Sequence, residues 1–210
     1  MGKRMDGTAD PRRALTPHAN RALMALCVVV YALGLPPDRL AFVPAYAFGG
    51  GGVAGPLPTP ALWIGLVAHP FVHADALHLA TNLLVLWPLG DAVERAVGHG
   101  RFLLLFALGA LAAAGLEGLL ATDRMAPLIG ASGAICALMG AFLWQPPRNG
   151  LWARSGWRWL AVVGIGAFAM VNAVLVIHPP SAGSPLAEVG WGAHLGGLLV
   201  GLALPVLWRR

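Results

Sequence analysis

The sequence predicts an all-α, polytopic membrane protein: a six-helix transmembrane bundle with both termini on the cytoplasmic side. Three observations carry this. Of 210 residues, 58% are apolar and 11% charged, whereas a soluble domain is about 25% charged. So few charges cannot solvate the outside of a water-soluble fold, and a mean hydropathy of +0.71 makes lipid the natural solvent. Second, the apolar residues collect into six runs, at 22–35, 76–89, 102–120, 132–144, 157–177 and 191–208. Third, if these runs alternate across a bilayer, twelve Lys and Arg residues fall on one side and two, Arg39 and Arg124, on the other. The positive-inside rule makes the first side cytoplasmic. A soluble α/β enzyme, a disordered tail and a secreted disulfide scaffold are excluded. The net charge of +5 is scattered between apolar runs rather than gathered in a patch, so no nucleic-acid partner is expected.

Residues 1–21 read as a basic cytoplasmic segment, 22–208 as the membrane domain, and 209–210 as a cytoplasmic end. The first run is shorter than the roughly 20 residues of a spanning helix and lengthens at its N-terminal side. Its basic start resembles a leader peptide. The nearby Ala45-Tyr46-Ala47 pattern lies too far beyond it, past two prolines, so the run is expected to be retained. Residues 36–75 carry the glycines 49–52 and Pro56, Pro58 and Pro60. With Phe42, Tyr46, Phe48, Leu62 and Trp63 they read as an outer loop with membrane affinity. The second run extends through an amphipathic stretch at 91–97, and the third, fifth and sixth cross unaided. The fourth starts abruptly at Gly130-Ala131-Ser132-Gly133 and stops at Gln145-Pro146-Pro147. A short helix entered through irregular backbone begins at mid-depth, where that backbone lines a water-filled cavity or is buried in protein. Cys27 and Cys136 lie inside apolar runs and read as buried small hydrophobes, not as a disulfide or a metal pair.

Polar residues inside spans are costly, and each is a candidate for function. His73, His78 and Asn82 form an H-x4-H-x3-N pattern at the second run. His78 and Asn82, four apart, share a helix face; taken alone the pair serves equally as hydrogen-bonding glue between helices. Ser132, one of four serines, has Gly130 two residues before it and Gly133 after it, which suits a nucleophile or merely close packing through the stripe Gly133, Ala137, Ala141. His194 stands in Gly192-Ala193-His194-Leu195-Gly196-Gly197, and Gly197-x3-Gly201 is a close-packing signature. Together the three supply what acyl transfer requires: a hydroxyl, a base to deprotonate it, and N–H donors for the oxyanion. The orientation derived from Lys and Arg sets Ser132, His194 and the His78 end of the second run at one depth, toward the outer side.

In these motifs, across about residues 22–208, the chain resembles the rhomboid family of intramembrane serine proteases. The family's H-x4-H-x3-N, G-x-S-G and G-A-H-x-x-G patterns correspond to His73/His78/Asn82, Gly130–Gly133 and Gly192–Gly197, and the stretch from Leu89 to Arg95 is also similar. The resemblance implies a Ser-His dyad of Ser132 and His194, with an oxyanion hole from His78, Asn82 and the Ser132 N–H. His73, Gly130, Gly133, Gly197 and Gly201 are implied as supporting residues. It implies no acidic third member; Asp75 and Glu188 fall in loop-like segments. It also implies no cofactor or metal, membrane-protein substrates cut at locally unwound spanning segments, and a site open to the extracytoplasmic face of a bacterial plasma membrane. The oligomeric state is left open. Three positions depart from the family pattern: Cys136 stands where an aromatic often packs on the histidine, Trp191 where an Asn is common, and Ile64 after Trp63 where an Arg is usual. His69, His99 and His178 are read as loop or interface residues. Two other readings compete: a rhomboid-like protein that binds helices without cutting them, which keeping both Ser132 and His194 disfavours, and a small transporter. The latter is disfavoured because Glu117 is the sole carboxylate well inside a run and no repeat is visible.

Overall fold

The computed structural model describes residues 15–52, 59–144, 155–181 and 183–208. In chain order the helices are α1 (His18–Ala32), α2 (Pro37–Leu40), α3 (Pro44–Phe48), α4 (Pro60–Ala68), α5 (Ala76–Val97), α6 (His99–Leu120), α7 (Ser132–Leu143), α8 (Ser155–Ile177) and α9 (Trp191–Leu207). Single-turn 3-10 segments occupy His69–Phe71 and Pro185–Glu188. Among the described residues there is no β-strand, only an isolated bridge between Phe42 and Leu128. Three helical stretches, Ala76–Val97, His99–Leu120 and Arg158–Ile177, are long and apolar enough to cross a bilayer. The helices at His18–Ala32, Pro60–Phe71, Ser132–Leu143 and Trp191–Leu207 are apolar but shorter.

Two expectations are corrected. The helix of the first apolar run spans His18–Ala32: it lengthens at its N-terminal side as expected, but stops three residues short of 35. A carboxylate distant in sequence accounts for where the helix starts. Glu94 of α5 accepts from the Ala19 and Asn20 backbone N–H groups, at 2.9 and 2.7 Å, and so satisfies donors that a helix start leaves unpaired. The buried Asn20 side chain donates to the Leu86 carbonyl at 3.2 Å and to Asp91 at 2.9 Å. Segment 36–75 is also no plain loop, since α2, α3 and α4 each begin with proline at the first helical position. There the missing N–H costs nothing and the fixed φ suits the helix. The Gln145-Pro146-Pro147 stop lies outside the described residues.

The core is built around α7. Nine of its twelve residues are buried, and its small side chains admit its neighbours closely. A Cβ on Gly197 would stand 1.8 Å from the Gly133 carbonyl oxygen, and one on Gly201 2.0 Å from that of Ala137, so α9 lies against α7 backbone to backbone. On another face Gly109 of α6 admits the Ala137 methyl. The segment leading into α7 is tied to the outer segment: Phe42 and Leu128 exchange backbone hydrogen bonds of 3.0 and 2.8 Å. Arg124 donates to the Phe48 and Gly49 carbonyls, both at 3.2 Å. These ties fix where Ser132 begins its helix.

Candidate active site

Ser132 is the first residue of α7, after a turn in which Gly130 takes φ +103°, a conformation that glycine adopts without strain. The Gly130 N–H donates to the His69 carbonyl at 2.8 Å. His69, expected as a loop or interface residue, is therefore a buried anchor of this turn, and its own Nδ1 lies 2.9 Å from the Gly65 carbonyl. The first turn of α7 also presents backbone N–H groups that have no intrahelical acceptor.

His194 sits in the first turn of α9, buried, with Nε2 2.8 Å from Ser132 Oγ. Glu117, near the end of α6, accepts from the Ala193 N–H at 2.9 Å. That carboxylate caps the helix carrying His194 and compensates its positive end. This gives a structural place to Glu117, the carboxylate well inside the third apolar run.

His78 and Asn82 lie on the face of α5 expected from their spacing. His78 packs over the turn before the serine: a Cβ on Gly130 would come within 2.6 Å of its Nε2. Asn82 is buried and its Nδ2 donates to the His78 carbonyl at 2.9 Å; an amide nitrogen carries a second N–H. Asp75, expected in a loop, is the N-cap of α5 and accepts from the His78 N–H at 2.7 Å. His73 precedes the helix and is buried, its ring edge-on to that of His78 at 5.0 Å. Burial pushes His73 down to about 4, with His78 adding to the effect, so it is neutral around neutral pH. Cys27 and Cys136 are free and buried, as expected. His99 opens α6 and contacts Glu94.

The sequence reading missed one residue at this site. Asn172 of α8 is fully buried, and its Oδ1 lies 2.8 Å from His194 Nδ1. Its signal was available, as a lone amide in an otherwise apolar run, but nothing in the sequence says which neighbour such an amide meets. The aromatic position vacated by Cys136 is likewise supplied from elsewhere. Phe168 of α8 packs on the imidazole at 5.4 Å, and Trp191 meets it edge-on at 5.9 Å. On the α8 side, Leu84, Val85, Met139, Phe142, Ile165 and Phe168 line an open apolar cleft between α5, α7 and α8.

A family model described as the rhomboid domain matches residues 60–210. The chain is 34% identical over 141 residues to "Rhomboid protease GluP" of Bacillus subtilis (strain 168), an alignment covering 66% of this chain and 25% of that protein. It is 31% identical over 196 residues to "Rhomboid protease GlpG" of Salmonella typhi, covering 87% of this chain and 60% of that one. The corresponding protein of Salmonella paratyphi A gives the same identity and coverage. The chain thus spans between a quarter and three fifths of the length of these relatives.

Proposed function

Because the chain belongs to the rhomboid family, a family of polytopic membrane proteins, we propose that it is an intramembrane serine endopeptidase acting through a dyad of Ser132 and His194. The observation that carries this reading is the 2.8 Å approach of His194 Nε2 to Ser132 Oγ. The hydroxyl stands at a helix start, where N–H donors and a positive dipole end converge. In the proposed reaction Ser132 Oγ bonds to the scissile carbonyl carbon as its proton passes to Nε2. The oxyanion is held by the Ser132 backbone N–H with His78 and Asn82. The C–N bond then breaks, His194 protonates the leaving amine, and an acyl-serine remains. Water, deprotonated by the same imidazole, attacks the ester and returns Ser132 with its proton. His73 packs behind His78, Gly130 and Gly133 shape the serine turn, and Gly197 and Gly201 hold α9 against α7.

Substrates on this reading are spanning or juxtamembrane segments of other membrane proteins. An intact helix commits its carbonyls to internal hydrogen bonds, so cleavage favours sites that unwind easily. The apolar cleft between α5 and α8 suits such a segment. We infer six crossings by α1, α5, α6, α7, α8 and α9, with residues 1–21 and 209–210 cytoplasmic. The site then opens to the extracytoplasmic face of a bacterial plasma membrane. Twelve basic residues on one side against two on the other support this orientation. The test uses purified protein in proteoliposomes with a model spanning segment. Cleavage by wild type that disappears in Ser132→Ala and His194→Ala supports the reading, and binding of the segment without cleavage by wild type overturns it.

A further inference from the structure

The imidazole of a serine protease base works only if its free lone pair faces the hydroxyl, so something must fix which ring nitrogen carries the proton. His194 Nδ1 faces Asn172 Oδ1 at 2.8 Å. An Asn side chain has a donor end and an acceptor end, and here a second contact decides which end faces the ring. Asn172 Nδ2 lies 2.7 Å from the Phe168 carbonyl oxygen, one turn earlier on α8. That oxygen can only accept, so the amide nitrogen must face it. The reverse orientation would set two acceptors against each other at that distance. The amide oxygen therefore faces His194, Nδ1 must carry the proton, and Nε2 is left with its lone pair toward Ser132 Oγ.

We propose that Asn172 is a positioning residue for catalysis: it holds His194 in the Nδ1–H tautomer and orients the ring, acting from α8 rather than from the helices that carry the motifs. This rests on the Ser132–His194 reading. Phe168 and Asn172, four residues apart, lie on one face of α8. The first packs on the imidazole and the second bonds its far nitrogen. Together they support the imidazole from α8, at a site where Cys136 of α7 offers no aromatic ring. The arrangement also couples two elements. Among the described side chains of α8 only Ile165 and Asn172 are buried, so the dyad is fully set only while this lightly held helix is docked.

The first test is on the unmodified protein. In ¹⁵N-histidine-labelled enzyme in micelles, with His194 assigned by its loss in His194→Gln, Nδ1 should be of the protonated type and Nε2 of the unprotonated type. The reverse assignment overturns the proposal. The second test is kinetic. Asn172→Leu should lower kcat by about 10- to 100-fold, part of the roughly 10²–10⁴ that a positioned base contributes, with KM nearly unchanged. Asn172→Gln, which keeps both an acceptor for Nδ1 and a donor for the Phe168 carbonyl, should restore part of it. Wild-type kcat in Asn172→Leu, or no recovery in a folded Asn172→Gln, contradicts the proposal. A Ser132→Ala variant that still cleaves would instead remove the dyad reading itself, so the two failures are distinguishable.

Discussion

Helices α7 and α8 contribute to the same site in opposite ways. The former is short, with nine of twelve residues buried, and two of its carbonyls lie against glycines of α9. The latter is nearly twice as long, yet only 11% of its apolar window is buried, against 39% for α5 and α6. Ser132 stands on the clamped helix, whereas Asn172, the hydrogen-bond partner of His194, stands on the loosely held one. Ser132, the proposed nucleophile, thus stands on a helix held by backbone packing. His194, the proposed base, rides on the clamped α9, but its ring is oriented in part by a hydrogen bond and a ring contact from α8, a helix with few other ties.

The largest loss is expected at the proposed dyad. Under the proposed mechanism His194→Ala lowers kcat by roughly 10³-fold or more, measured as cleavage of a spanning segment. Next comes the clamp. Gly197→Leu places a side chain where even a Cβ would be 1.8 Å from a backbone oxygen. Backbone cannot yield as a flexible side chain does, so the cost meets or exceeds the usual 1–3 kcal/mol or so of overpacking. It is read as a fall in the unfolding midpoint in micelles together with lost activity. A smaller effect comes from Glu117→Ala, which removes the acceptor at the start of α9 and costs about 0.5–2 kcal/mol. Glu117→Gln, which keeps an acceptor oxygen, recovers part of it. On the exposed face of α8, Val163→Ala leaves stability within about 0.5 kcal/mol. A large loss there would mean that α8 is held as tightly as α7.

His73 adds a pH dependence with a definite sign. Its folded pKa, about 4, lies below the ordinary 6.5, so between these values the unfolded chain binds more protons. The contribution of neutral His73 to stability is therefore present above about pH 6.5 and is lost as pH falls toward 4. Replacing it by Gln should flatten that part of the stability profile; an unchanged slope would place the titration elsewhere.

How much of this was legible depended on whether the signal was local. Ser132 and His194 stood out because each is flanked by glycines in a chain with only four serines, and the glycines have local work: a turn at Gly130 and a close approach at Gly197. The N-terminal lengthening of α1 was legible but its first residue was not, because its cap, Glu94, lies about 75 residues away in sequence, beyond any pattern of neighbours. The helices α2, α3 and α4 had a local signal in their leading prolines, but the glycine run and the further prolines pointed more strongly to a loop. Asn172 was invisible as a site residue for another reason. An amide in a spanning run announces that it needs a partner, but only the docking of α8 on α9 reveals that the partner is His194.

Covalent labelling with a fluorophosphonate reads directly whether Ser132 is a nucleophile activated by His194. Wild-type protein in detergent should become labelled at Ser132, with labelling abolished in Ser132→Ala and sharply slowed in His194→Ala. Labelling that persists in Ser132→Ala would contradict the account.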